Sequence, residues 1–168
     1  MQKVDSGKLE SGSRPSLVEV LRGIFFAFPE GTPPMVVAKN PDYPDGIDLT
    51  AHFRDLSWLK VSAQLVALHK DDHLHFRFSA LMYYLPAFMI QSLLEPELTD
   101  VAVDSTCFFM SPEVLLRNFD GLDVASGLAA MSFDQRGAMV LFLRYVQAID
   151  PSADAGSAIE FWGLSTAT

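Results

Sequence analysis

"FSALMYYLPAFMIQSLL", residues 78–94, lies between Arg77 and Glu95 as seventeen uncharged residues with a proline near the middle. A helix that crosses a membrane needs about 20 mostly apolar residues, with roughly 17 as the lower limit. This run is interrupted by Ser79, Tyr83, Tyr84, Pro86, Gln91 and Ser92, and no basic cluster flanks it as an oriented span would require. It therefore predicts a helix buried on most of its sides, at the centre of a helical core. Pro86 has no N–H for the Met82 carbonyl and disfavours helical geometry at Leu85. Either one helix kinks there, or a short helix ends and a second begins with Pro86 in its first turn.

The segments around this run have helical signatures. In "PSLVEVLRGIFFAF" Ser16 and Glu19 have capping-box spacing, and Leu17, Val20, Leu21, Ile24 and Phe28 repeat at helical intervals. "DLSWLKVSAQLVALH" predicts another helix, with Ser57 as N-cap and Trp58, Val61, Leu65 and Leu68 on one face. In "SPEVLLRNF" Ser111 is the expected cap and Pro112 the first helical residue. "SFDQRGAMVLFLRYVQAID" offers a second capping box at Ser132 and Gln135, with Met139, Phe142, Val146 and Ile149 as its apolar stripe. After the break at "PSADAG", "SAIEFWGL" reads as a terminal helical piece that docks Phe161 and Trp162. Strand alternation is scarce.

Between the first two helices, "PEGTPPMVVAKNPDYPDGIDLT" holds five prolines and two glycines in 22 residues. It predicts a long irregular connection with a short extended piece at Met35–Ala38. Loops this long in a compact fold tend to be functional, so it is a candidate recognition segment. The expected fold class is mainly α: a single compact helical domain over residues 15–168, with a kinked central apolar helix and a long Pro-rich loop. The polar residues 1–14 form an expected flexible N-terminal tail.

Composition narrows the function. The 168 residues are 49% hydrophobic and 11% aromatic, too apolar for native disorder. Twelve basic residues against 21 acidic ones give a net charge of −9, which argues against nucleic acid as a partner. The single cysteine, Cys107, reads as a small buried thiol in a reducing cytoplasm rather than a nucleophile. With no secretory signal at the N-terminus, the expected location is cytoplasmic, without membrane insertion.

Candidate chemistry is sparse. "HKDDHLH" brings His69, His73 and His75 together with Asp72, but the metalloprotease pattern needs Glu where Lys70 stands. A polar turn between helices explains these letters without a metal. No Gly-x-Ser-x-Gly elbow or phosphate-binding glycine loop occurs. No cofactor or metal is expected, and the protein is expected not to be an enzyme. Tyr83 and Tyr84 diverge by about 100° if helical, so one is expected inside and the other at a surface or polar partner. From Glu95 to Asp123 there are seven acids and one base, Arg117. This stretch is a solvated face or a surface for a basic protein partner, with Glu97, Asp100, Asp104, Asp120 and Asp123 as the contact residues.

"HLHFRFSALMYYLPAFMIQSLL", preceded by "LSWLKV" and followed by "MSFDQRGAMVLFLRYV", resembles an uncharacterised bacterial family of unknown function. There a Trp-bearing helix precedes a Tyr-Tyr-Leu-Pro-Ala motif and a Ser-x-x-Gln helix closes the domain. The resemblance runs from Ser16 to Ile149 and implies architecture rather than catalysis. Compact acidic proteins of this kind also resemble immunity proteins that neutralise bacterial toxins. That likeness implies a non-enzymatic domain that binds a basic toxin through its acidic surface. The alternative expectation is a small-molecule binder or metal-dependent enzyme, with a pocket near Pro86 and the His69–His75 turn.

Overall fold

Helices begin where side chains satisfy the free N–H groups of a first turn, and a computed structural model describes this for residues 14–153 and 155–164. The expected tail falls almost wholly outside the described residues. Helix α1 (Leu17–Ala27) starts at the Ser16–Glu19 capping box, and α9 (Phe133–Ile149) at the Ser132–Gln135 box. Between them run α2 (Pro44–Phe53), α3 (Ala63–Leu68), α4 (Phe78–Leu94), α5 (Pro96–Thr99), α6 (Ala102–Phe109), α7 (Pro112–Asn118) and α8 (Gly121–Ala130). α10 (Gly156–Leu164) follows α9. The fold is mainly α, and among the described residues the sole β pairing is an isolated antiparallel bridge between Ala38 and Phe76.

The run 78–94 is the central element. α4 packs against α1, α3, α5, α6 and α8, and every residue from Tyr84 to Ile90 is buried. Seven consecutive residues cover about two turns, so this part of α4 has no face left for solvent. Pro86 lies inside one continuous helix, so of the two geometries open to it the chain takes the uninterrupted one. α1 and α10 both pack on α9, where Met139, Phe142 and Val146 are buried while Ile149 is exposed. As expected, α10 docks Trp162, whose indole N–H donates to the Met110 carbonyl at 2.8 Å.

Around α4 an aromatic cluster forms from distant parts of the chain. The Phe53 ring centroid lies 4.8 Å from Tyr84, 5.1 Å from Phe76 and 6.3 Å from Phe88. Tyr84 is fully buried, and its hydroxyl reaches the Phe53 carbonyl at 2.5 Å and the Leu56 carbonyl at 3.0 Å. Burial pushes the Tyr84 phenol above its ordinary range, so it stays a donor. It thereby ties down the turn after α2, where Asp55 has a left-handed backbone (φ 60). Tyr84→Phe keeps the ring but leaves the Leu56 carbonyl without this donor and the Phe53 carbonyl with the Leu56 N–H at 3.1 Å, and is expected to cost about 1–3 kcal/mol. Urea unfolding measures the loss, and hydrogen exchange should loosen first at residues 53–57. A loss below about 0.5 kcal/mol would mean that water takes over the bond without penalty.

Three expectations are corrected. The helix placed from Ser57 to Leu68 is broken: a 3-10 turn covers Trp58–Lys60, and α3 begins only after Ser62. Both serines act as caps, Ser57 for Leu59 and Ser62 for Leu65, and the second cap interrupts the first turn. Leu68 is consequently 63% exposed rather than on the buried face. The Pro-rich connection is also shorter than expected, because its last third forms α2 with Pro44 in the first turn. A Cβ at Gly46 would lie 1.9 Å from the Asn40 carbonyl oxygen, so this start of α2 requires glycine. Finally, the acidic stretch contributes to the core as well as the surface, through Thr99, Ala102, Thr106, Cys107, Phe109 and Met110.

Candidate functional site

The Ala38–Phe76 bridge decides where charge meets a concave surface. Lys39 N–H donates to the His75 carbonyl at 2.9 Å, and Arg77 N–H to the Val37 carbonyl at 2.8 Å. These bonds place Lys39 and Arg77 on the margin of an open cleft of about 760 Å³. One wall is the start of α4, with Phe78, Met82 and Tyr83. The opposite wall is the α7–α8 connection and α8, from Asn118 to Met131. A Cβ on Gly127 would sit 2.3 Å from the Phe78 ring, so α8 approaches α4 closely at the back of the cleft. The Arg136 guanidinium donates to the Leu128 carbonyl and ties α8 to α9.

Lys39 is the group in the cleft whose electrostatics depart from the ordinary. Its amine donates to the Asn118 carbonyl at 2.8 Å and lies 3.7 Å from the centroid of the Phe119 ring. Burial lowers its pKa, with no opposing pull from a carboxylate. Tyr83 lines the same cleft, and its buried hydroxyl oxygen has no hydrogen-bond partner. Thus the adjacent tyrosines diverge as expected: Tyr84 bonds the core backbone, and Tyr83 borders the cleft. A volume in this range suits a small organic ligand or a protruding part of a partner.

The five acids expected to meet a partner divide between two places. Asp120 and Asp123 line the cleft: Asp120 is the N-cap of α8, accepting from Leu122 N–H at 2.8 Å, and Asp123 follows in the first turn. Glu97 and Asp104 are exposed on α5 and α6 and do not line it. Asp100 is held by Lys70 at 2.8 Å, and this hydrogen bond lowers its pKa.

The histidine turn separates rather than gathers. His69 is 3% exposed at the end of α3, with Nδ1 2.8 Å from Asp72 and Nε2 2.9 Å from His52 Nδ1. His73 is buried between Phe88 and Phe109 with no hydrogen-bond partner on either ring nitrogen, and burial lowers its pKa to about 3. His75 is exposed, 3.7 Å from Asp45. Among the described residues, no group of three or more His, Cys, Asp or Glu side chains is placed to hold a metal ion. Pro86, His69 and His73 are buried, and none of them lines the large cleft. Cys107 is buried and its thiol is pushed up to about 12, chiefly by burial. No described helix is long and apolar enough to cross a membrane.

The model of a family described as "Family of unknown function (DUF6714)" matches residues 47–164. The chain belongs to this family. No curated protein and no solved structure matches it. The DUF6714 span starts later than the Ser16 expected from the motifs and continues past Ile149 through α10. It contains Arg77, Tyr83, Asp120 and Asp123, whereas Lys39 and α1 precede it.

Sequence reasoning reached Asp120 and Asp123 through charge density but missed Lys39, Arg77 and the cleft itself. The available signal was the pair of short extended pieces, "VVAK" and "HFRF", which meet at the bridge. Nothing in their spacing identifies them as partners, because 37 intervening residues include two helices and two 3-10 turns, Trp58–Lys60 and Asp72–His75.

Proposed function

We propose that this protein is a non-enzymatic binding module for a basic protein partner, with its contact surface at the start of α8. The observation that carries the reading is an acid–apolar–acid stretch at the start of α8, whose two acids line the cleft. Leu122 is 82% exposed between Asp120 and Asp123, beside the concave surface. Among the described residues, neither carboxylate is in a salt bridge. Free carboxylates speed the encounter with a basic surface and select against acidic ones. The exposed leucine offers apolar area to a partner that fits the edge. Glu97 and Asp104 add to the same net field from α5 and α6.

The narrower version is an immunity protein that covers the basic cleft of a cognate bacterial toxin. Shape and charge suffice for such inhibition. A non-catalytic reading is supported by the buried Cys107 and by the use of Ser16, Ser62 and Ser132 as helix caps.

Where a basic protein is encoded beside this one, the test is calorimetry against it at low and high salt. A stoichiometric complex that weakens with salt is expected. Asp120→Lys with Asp123→Lys should slow association about tenfold or more. Unchanged binding by this pair refutes the surface. A toxin reading also requires that co-expression protects cells from the partner.

A further inference from the structure

Lys39 presents an unbalanced charge. Its amine is partly desolvated, its one hydrogen-bond partner is the neutral Asn118 carbonyl, and a phenyl ring covers another side. Asp120 and Asp123 line the same cleft, yet neither lies within salt-bridge distance of the amine. Burial alone accounts for its lowered pKa. A partly buried cation with no counter-ion gains from an anion that meets it. Arg77 lines the same cleft, whose surface is mixed: Phe78, Met82 and Met131 supply apolar area among polar side chains such as Ser79, Ser126 and Gln135.

We propose that the cleft binds a small amphipathic monocarboxylate, whose carboxylate meets Lys39 with Arg77 adding charge, and whose apolar body lies on Phe78, Met82 and Met131. The volume of about 760 Å³ accommodates a ligand of this class. A carboxylate replaces the missing counter-ion with a charge-assisted hydrogen bond, and the apolar body covers Phe78, Met82 and Met131. Asp120 and Asp123 line the same cleft and refine the choice. They repel a multiply charged anion such as phosphate more strongly than a monocarboxylate, and Lys39 with Arg77 supplies only two positive charges against their two negative ones. This site is distinguished from the partner edge by its determinant, Lys39, in place of the carboxylates of Asp120 and Asp123.

The experiment uses octanoate as probe, with octanol and octylammonium as neutral and cationic comparators, on the full chain. Calorimetry gives affinities, and amide chemical shifts give the location. Octanoate is expected to bind more tightly than either comparator and to shift amides in residues 78–83 and 118–131. Lys39→Met, which keeps the aliphatic stem without the charge, should weaken octanoate about tenfold or more while leaving octanol unchanged. Met131→Trp, which fills the cleft from its wall, should abolish binding and decides the matter if Lys39→Met does not fold. Octanol binding as tightly as octanoate, undiminished binding by either variant, or shifts confined to another face would each overturn the proposal. Loss of octanoate binding in Lys39→Met with intact protein-partner binding separates this site from the one at Asp120 and Asp123.

Discussion

Phe88→Ala is expected to remove about 3–5 kcal/mol of stability, the largest loss from any single truncation argued for this protein. Phe88 is fully buried at the middle of α4, in ring contact with Phe53, His73 and Phe76. Those three come from α2, from the turn before α4 and from the bridge strand, so the cavity would open where separate parts of the chain meet. None of its walls can close it alone, since α4 is held by helices on several sides. Folded proteins have only about 5–15 kcal/mol in total, so the variant should approach the unfolding threshold at ambient temperature. Urea unfolding followed by circular dichroism measures the shift in midpoint. A loss below about 1 kcal/mol would show that the aromatic cluster relaxes around the gap and is not the centre of the core.

Acid should unfold the protein in part through one residue, His73. Its folded pKa is depressed from 6.5 to about 3, because the ring is buried between Phe88 and Phe109. The nearby Lys70 backbone acts in the opposite direction and is the smaller of the two causes. Above 6.5 neither state binds the proton, and the stability contribution is fully present. Between 6.5 and about 3 the unfolded chain is protonated at this site and the folded chain is not, so stability falls with falling pH. The slope approaches about 1.4 kcal/mol per pH unit from this group alone, on top of the carboxylates that titrate at the lower end. His73→Leu should flatten the profile by that amount while retaining an apolar contact with both rings. At neutral pH it should be at least as stable as the parent, because two ring nitrogens without partners are removed. Equal slopes for parent and variant across the window would show that His73 is hydrated and free to titrate.

These two residues also mark how far reading the chain could go. Phe88 was legible as core, since it lies in an uncharged run too polar for a membrane and too long for a loop. His73 was not, because it stands in "HKDDHLH", where neighbouring letters are polar and the expected environment is a solvated turn. Local sequence gives each residue the average environment of its neighbours. The 3-10 turn Asp72–His75, folded against α6, instead carries His73 inward and leaves His75 outside.

Helix ends show the same division. The capping boxes at Ser16 and Ser132 were readable because both partners of each bond lie within three residues. Ser57 was readable as a cap too, but the helix behind it was not, since Ser62 caps again five residues later and the chain uses both. Apolar periodicity ran through this break and gave Leu68 a buried face that it does not have.

By itself the sequence determined the class and the centre: helices with local caps, an apolar run that must be buried, and a surplus of acid on the surface. These depend on interactions within a few residues or on totals over the chain. The tertiary structure alone decided which charges matter. It brings Lys39 and Arg77 together across the Ala38–Phe76 bridge, sets them opposite α8, and divides the acids between the cleft and the α5–α6 side. The physical reason is that a pKa, a counter-ion or a cleft depends on which groups lie within a few ångströms in space, and chain folding sets those distances across dozens of residues.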